Sequence, residues 1–186
     1  TNISNCPKKP RVHPKPPMLV ALDHQDSKCL TLHVKFDLCK LPSTSGVLWN
    51  AGGWLMDPAD GLTMLCLSST GSLNYCTRMD TGGFGVENVE TDIGEMTPGE
   101  HTITVHHDEC YATIAVDGED KAMGTAFLPC ALLKHWRLTG VNNPVPAFGH
   151  RLEALDIDVK QCVVYAGCVP QQEIDTTNAP IILRQG

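Results

Sequence analysis

The sequence lacks three features that would indicate particular classes of protein. No run approaches the ~18 continuous apolar residues that a membrane helix needs, although 42% of the 186 residues are hydrophobic. Helical periodicity is almost absent, since only residues 131–135 suggest a short helix or turn. The net charge of −7 argues against a nucleic-acid surface, because binding to nucleic acid depends on Lys and Arg that neutralise phosphates. We therefore predict no membrane span and no nucleic-acid partner.

The cysteines are numerous but never closely paired. Metal-binding cysteines usually occur as Cys-x-x-Cys or similar pairs, and no such pair is present, so we predict no metal site and no cofactor. A high cysteine content without metal spacing indicates disulfides and an oxidising compartment, which predicts an extracellular or cell-surface location. The odd count predicts one free thiol or one bridge to a partner chain, as in a disulfide-linked oligomer. The nine positions are Cys6, Cys29, Cys39, Cys66, Cys76, Cys110, Cys130, Cys162 and Cys168.

The N-terminal region carries two further indications of secretion. The sequence begins at Thr1 without a basic and apolar leader, which we expect of a processed secreted chain or of a piece of a larger protein. Asn2 begins an Asn-Ile-Ser triplet, which is an acceptor for N-glycosylation.

Proline and charge divide the chain into three regions. Residues 1–17 contain five of the thirteen prolines and four basic residues, which predicts an extended, polyproline-like basic arm. Residues 18–168 are expected to form the folded domain. Residues 169–186 are predicted to be a tail or linker, in which residues 181–183 are able to add an edge strand.

Alternating apolar residues predict β-strands with one buried face. Such alternation runs from Leu30 to Leu38 and again from Leu155 to Val159. Residues 62–77 predict a hairpin centred on Gly71, which would set Cys66 opposite Cys76. Because directly opposed residues have Cβ atoms within bridging reach, we predict a Cys66–Cys76 disulfide.

A second hairpin is predicted between residues 101 and 116. Ile103, Val105 and His107 share one face, residues 107–109 supply polar turn residues, and the return strand carries Ala112, Ile114 and Val116. The following Asp-Gly pair is a strong turn signal, because glycine adopts positive φ at little cost. Many short strands with frequent turns are typical of an all-β sandwich or barrel.

The second hairpin also carries a resemblance to a known superfamily. Gly99-Glu100-His101-Thr102-Ile103-Thr104-Val105, followed by Ala112 to Val116 and Asp117-Gly118, resembles the central hairpin of concanavalin A-like jelly rolls. That superfamily includes laminin-G-like modules, pentraxins and the lectin-like domain of trypanosomal sialidases. The resemblance covers residues 28 to 165 and implies a two-sheet antiparallel jelly-roll sandwich. No calcium ligand set of the laminin-G or pentraxin kind matches this sequence, so metal-dependent recognition is not implied.

One glycine-rich segment holds two of the three tryptophans and is the first candidate for a binding loop. Aromatic faces stack on sugars while Asn and Asp bind hydroxyls, and exposed aromatic residues also anchor protein interfaces. The alternative is that Trp49 ends a core strand and that Trp54 fills the edge of the sandwich. Residues 141–146 form a second candidate loop, because binding residues of β-scaffolds concentrate in loops. The predicted ligand-binding residues are Trp49, Asn50, Trp54, Asp57, Asp60, Asn142 and Asn143.

Two clusters of polar residues are candidates for a catalytic or a metal site. Asp156 and Asp158 share a face, but Glu153 has the wrong parity to join them in the carboxylate pair that glycoside hydrolysis requires. We therefore interpret them as a solvent-facing acidic side of a strand. Residues 106–108 would need a third metal ligand such as His24 or His33, and we interpret them as turn residues.

These observations predict a non-catalytic recognition domain, extracellular or on a cell surface, that binds a glycan or a partner protein. One alternative is a structural or accessory lectin-like module, or a viral spike domain, within a larger assembly. A glycan hydrolase is the third possibility, and the absent catalytic spacing argues against it.

Overall fold

The structure is a computed structural model. It describes residues 29–52, 62–78, 86–127, 136–138, 152–153, 155–166, 170, 174 and 181–185. No helix in this part of the chain is long and apolar enough to span a membrane. The described residues form twelve strands: β1 Cys29–Lys40, β2 Ser45–Gly52, β3 Leu62–Ser68, β4 Leu73–Arg78, β5 Val86–Glu90, β6 Gly99–Asp108, β7 Tyr111–Val116, β8 Glu119–Thr125, β9 Trp136–Leu138, β10 Leu152–Glu153, β11 Asp156–Ala166 and β12 Ile181–Gln185.

The strands form two mainly antiparallel sheets. Sheet A has the order β12-β11-β1-β6-β7-β8, and sheet B has the order β10-β2-β3-β4-β5 with β9 also paired to β2. Strand β12 joins β11 in parallel, with Cys162 aligned to Ile181, so residues 181–183 do add an edge strand. The fold is therefore the two-sheet sandwich that alternating apolar residues predict.

Alternation in β1 explains how sheet A forms one wall of the core. Leu30, Leu32 and Val34 are fully buried, and the same face continues on β6 through Ile103 and Val105. These side chains belong to one cluster that also contains residues from sheet B. Burial of apolar surface, at roughly 25 cal/mol per Å², holds the two sheets together.

Sheet B presents Leu65, Leu67, Leu73 and Tyr75 to the same core. Trp49 of β2 joins them and is 0% exposed. The segment around Trp49, predicted to be a loop, is thus strand β2, which pairs with both β3 and β9 and contains a bulge between Val47 and Trp49. A bulge places one extra residue in a strand and changes which side chains face the core.

The predicted Cys66–Cys76 disulfide is wrong, because the hairpin is shifted from its predicted centre. Leu67 pairs with Leu73, which centres the turn on Thr70 and sets Cys66 opposite Asn74. Cys39 is disulfide-bonded, but no disulfide joins two of the cysteines that the structure describes.

Side-chain hydrogen bonds in the β3–β4 turn explain this register. The Ser68 hydroxyl accepts a hydrogen bond from the amide of Ser72 at 3.1 Å, and the Ser68 amide donates to the Ser72 carbonyl at 3.0 Å. Gly71 has φ +79°, and a Cβ built there would lie 2.5 Å from the carbonyl oxygen of Met96. Glycine at position 71 is therefore required both by backbone conformation and by space.

The second predicted hairpin is confirmed, with one correction to its turn. Strand β6 continues to Asp108, and the turn consists of Glu109 and Cys110 with φ +51° at Glu109. His107 is consequently a strand residue that faces the core, in line with the predicted face shared with Ile103 and Val105.

Candidate functional site

The aromatic ring of Tyr111, at the start of β7, is exposed to solvent. Ala112, Ile114 and Val116 of the same strand face the core, so alternation directs Tyr111 and Thr113 to the outer face of sheet A. Tyr111 is 56% exposed. An exposed ring on a rigid sheet is suited to contact a ligand, because tyrosine offers a large apolar surface with a polar end.

Neighbouring strands complete a small mixed surface around this ring. Asp108, Tyr111 and Thr125 are aligned across β6, β7 and β8, and His106, Thr113 and Met123 are aligned in the next row. Met123 is 76% exposed and is a diagonal neighbour of Tyr111, within reach of a long side chain. We call this surface, made of Tyr111, Thr113, Met123, Thr125 and His106, the Tyr111 face.

Polar groups at the Tyr111 face are neutral or already oriented. The Thr125 hydroxyl donates a hydrogen bond to the Glu87 carboxylate at 2.9 Å, which fixes its direction. Burial lowers the pKa of His106, and the Asp120 carboxylate opposes that effect. A neutral imidazole carries one donor and one acceptor nitrogen, which is appropriate for a hydroxyl-bearing ligand.

A buried pair beneath this face connects the two sheets. The Tyr75 hydroxyl and His107 Nδ1 lie 2.9 Å apart, and their rings meet edge to face with centroids 5.5 Å apart. Burial lowers the pKa of His107 to about 4, although carbonyl groups of Phe127 and Glu109 act in the opposite direction. His107 Nε2 is buried and has no hydrogen-bond partner. The pair is therefore neutral at pH 7 and positions β6 against β4.

The structure separates His106 from His107, the two histidines of the candidate metal site, and His24 lies outside the described residues. His107 faces the core, whereas His33 and His106 lie on the outer face of sheet A. His33 Nδ1 and the Thr104 hydroxyl are hydrogen-bonded at 2.9 Å. No group of three or more His, Cys, Asp or Glu side chains suited to a metal ion occurs among the described residues.

The acidic strand side at Asp156 and Asp158 is a solvent-facing charged region. Asp158 is exposed and lies opposite Asp37, while Asp156 lies opposite Lys40. The nearby Lys160 ammonium contacts the Glu100 carboxylate at 2.9 Å. This arrangement agrees with the solvent-facing interpretation of these carboxylates.

The predicted ligand-binding residues are only partly within the described chain. Trp49 is a core residue, as the alternative interpretation had it, so its ring is not available to a ligand. Asn50 lies on the outer face of sheet B, half-buried, with an Oδ1 atom that is buried and has no hydrogen-bond partner. The residues outside the described part are Asn2, Trp54, Asp57, Asp60, Asn142 and Asn143, and these predictions stay untested.

One hydrogen bond and the strand register establish which end of the sandwich the Tyr111 face occupies. The Phe127 amide donates to the Thr77 hydroxyl at 2.9 Å, so the end of β8 lies beside the end of β4. Because Gly52, Leu62 and Arg78 are aligned across sheet B, the chain leaves β2 and enters β3 at this same end. The predicted loop between these strands therefore begins and finishes at the end where Tyr111 lies.

Sequence comparison finds no protein-family model and no curated protein that matches this chain. Solved structures do match it. Domains LG4-5 of the mouse laminin alpha1 chain superpose with a TM-score of 0.58 at 14% identity, covering 84% of this chain and 40% of the laminin chain. The CBM40 of a Ruminococcus gnavus IT-sialidase, bound to alpha2,3 sialyllactose, gives a TM-score of 0.56 at 13% identity and covers 80% of this chain and 81% of that chain.

A sialidase of Trypanosoma rangeli also matches, with a TM-score of 0.53 at 16% identity over 80% of this chain and only 22% of the sialidase. The chain thus spans less than half of the laminin structure and about a fifth of the sialidase. These matches establish the fold. It is the concanavalin A-like jelly roll that the β6–β7 sequence resembles.

Proposed function

We propose that this chain is a non-catalytic recognition domain that binds a glycan through the Tyr111 face. The observation that carries the proposal is the Tyr111 ring itself, 56% exposed beside Met123 on a rigid sheet. Sugar rings present apolar C–H faces together with hydroxyl groups, and an exposed aromatic ring surrounded by polar side chains matches both. The Thr113 hydroxyl and the neutral His106 ring supply hydrogen-bonding groups next to that ring.

The small size of the apolar surface favours a glycan over a protein partner. A stable protein interface buries roughly 800 Å² on each partner around a core of several anchors. Tyr111 and Met123 are the only large apolar side chains exposed on this face within the described strands. A single ring with one flanking thioether is sufficient for one sugar residue. Binding to a partner protein would therefore require contributions from beyond the described residues.

Support for a role without catalysis comes from the carboxylates. Retaining and inverting glycosidases need two carboxyl groups on either side of the scissile bond. Asp156 and Asp158, the candidates from the sequence, lie on a solvent-facing strand among lysines. The similar CBM40 of the Ruminococcus gnavus IT-sialidase is bound to sialyllactose, which supports a binding role. We infer that this chain likewise binds without turnover.

An extracellular or cell-surface location completes the proposal. The nine cysteines, the disulfide at Cys39 and the glycosylation acceptor at Asn2 support a domain that matures in the secretory pathway. Non-reducing peptide mass spectrometry tests this part, since it reports both disulfides and a glycan at Asn2. A fully reduced and unglycosylated native protein would contradict it.

A glycan array with matched variants tests the ligand class. We expect wild-type protein to bind a defined set of glycans and Tyr111→Ala to weaken binding at least tenfold, about 1.4 kcal/mol. Ile93→Ala is the control, because Ile93 is 79% exposed beside the β3–β4 turn at the opposite end of the sandwich. Trp54→Ala tests the loop prediction in the same assay. If wild-type protein binds no glycan, the structural-module alternative is favoured.

A further inference from the structure

Three sulfur-bearing side chains lie together on the outer face of sheet B, away from the Tyr111 face. Met64 and Cys66 belong to β3 and Cys76 belongs to β4. Their strand neighbours Leu65 and Tyr75 are core residues, so alternation directs the three sulfurs to the other side of the sheet. We call Met64, Cys66 and Cys76 the sulfur cluster.

Strand register sets the spacing of the sulfur cluster. Met64 lies directly opposite Cys76, and Cys66 lies opposite Asn74, one step along the same face. Directly opposed residues have Cβ atoms about 5 Å apart and diagonal ones about 7 Å, so the flexible Met64 side chain and both cysteines can converge on one point. Neither cysteine belongs to a disulfide.

Most of this cluster is shielded from solvent. Met64 is 2% exposed and Cys76 is 4% exposed, whereas Cys66 is partly exposed. Burial, followed by the proximity of Cys76, raises the pKa of Cys66 to about 12. The Cys66 thiol is therefore protonated at pH 7 in the absence of a ligand.

Two unpartnered amide oxygens flank the sulfurs. Asn50 lies opposite Met64 on β2, and Asn74 lies opposite Cys66 on β4. The Oδ1 atoms of both asparagines are buried and have no hydrogen-bond partner. Buried polar atoms in native proteins are nearly always paired, and an unpaired one indicates a missing ion, water or ligand. Two such atoms lie beside the three sulfurs, at positions where a bound species would find polar neighbours.

We propose that the sulfur cluster binds one Cu(I) ion, with Cys66 and Cys76 as thiolate ligands and Met64 as a thioether ligand. Thiolate and thioether ligands select soft ions such as Cu(I). Zinc prefers four ligands drawn from Cys, His and carboxylates, which these three side chains do not provide. On binding, each thiol loses its proton to solvent and forms one S–Cu bond, so two thiols and one Cu(I) give a site with net charge −1.

The flanking amides suit that charge. Oxygen and nitrogen of an asparagine amide exchange places by a half-turn of the side chain. In the metal-bound state, such a turn of Asn50 and Asn74 directs N–H groups toward the thiolates. Hydrogen bonds from surrounding groups to metal-binding thiolates stabilise the site and hold the ligands in position.

Anaerobic titration of the protein with its disulfide at Cys39 kept intact, against Cu(I) held by bicinchoninate, tests the proposal. We expect the Cys110→Ser variant, which removes the one exposed thiol among the described residues, to withdraw one Cu(I) per chain from the chelator. Cys66→Ser in that background should abolish this uptake, and the shape-conserving Met64→Leu should weaken it about tenfold. Because two protons are released, affinity should rise steeply with pH, about a hundredfold per unit. X-ray absorption should show a copper shell of sulfur alone.

Several outcomes would overturn the proposal. Absence of copper uptake by the Cys110→Ser protein is one, and undiminished uptake after both Cys66→Ser and Met64→Leu is another. A shell containing nitrogen or oxygen in place of the third sulfur would remove Met64 from the site. Circular dichroism of each variant separates loss of binding from loss of folding, and glycan binding is measured independently because it depends on the other sheet.

Discussion

Protonation of His107 should destabilise this domain in mild acid. The ring is 0% exposed, and burial lowers its pKa from 6.5 to about 4. A pKa lower in the folded than in the unfolded state means that the unfolded chain binds the proton first. The contribution of neutral His107 to the free energy of unfolding is therefore complete above the unfolded pKa of 6.5. It declines as the pH falls below that value, and the decline ends below about pH 4.

The magnitude follows from the two pKa values. Each unit of difference is worth about 1.36 kcal/mol, so the full effect is about 3 kcal/mol and the part lost between pH 7.5 and pH 5.0 is about 2 kcal/mol. The range above pH 5 keeps most carboxylates ionised. His33 and His106, whose pKa values burial also lowers, add to the loss in the same direction.

Urea denaturation of wild-type and His107→Gln protein at both pH values isolates this contribution. Glutamine keeps a polar partner for the Tyr75 hydroxyl and does not titrate, and the other histidines contribute equally to both proteins. We expect the wild type to lose about 2 kcal/mol more than the variant on acidification. Tyr75→Phe, which leaves His107 able to titrate, should lose about 1 kcal/mol at pH 7.5 and retain the pH dependence. Equal acid losses in wild type and His107→Gln would refute the reasoning.

Three further predictions concern stability and use the same denaturation assay. Gly71→Ala should lower the free energy of unfolding by about 2 kcal/mol or more, because the new Cβ would lie 2.5 Å from the Met96 carbonyl oxygen and the backbone has positive φ. An unchanged denaturation midpoint would show that this turn relaxes. Leu32→Ala should lower the free energy of unfolding by about 2–5 kcal/mol, since the Leu32 side chain is fully buried in the core. A smaller loss would mean that neighbouring side chains move to fill the cavity. Glu100→Gln should leave the midpoint unchanged in 0.15 M salt, because its ion pairs with Lys35 and Lys160 are exposed, and a large loss would contradict that view.

The sandwich is predictable from the sequence where alternation is strong. Strands β1, β6 and β7 direct every second residue into the core, and only one orientation of such a strand hides its apolar side. Strand β8 carries no such signal, because its exposed Glu119, Asp120 and Lys121 lie at a sheet edge, and it is held by pairing with β7. Its position depends on the tertiary structure, which local sequence does not contain.

In the candidate site, too, some residues are predictable from the local sequence and others depend on the tertiary structure. Trp49 has glycines and asparagine nearby, so it resembles a loop residue, and only the pairing of β2 with β3 and β9 places it in the core. Tyr111 did have a signal in the sequence. Since Ala112, Ile114 and Val116 face inward, the residue before them must face outward. The Cys66–Cys76 prediction was wrong by a single residue in the turn, because side-chain bonds of Ser68 set the register.

Chemical-shift mapping by NMR, with a glycan selected from the array, tests the central claim most directly. The account predicts that the largest amide shifts cluster on Tyr111, Thr113 and Met123, and that Tyr111→Ala removes them while Ile93→Ala does not. Shifts that centre on the sulfur cluster of sheet B, or that persist in Tyr111→Ala, would contradict binding at the Tyr111 face.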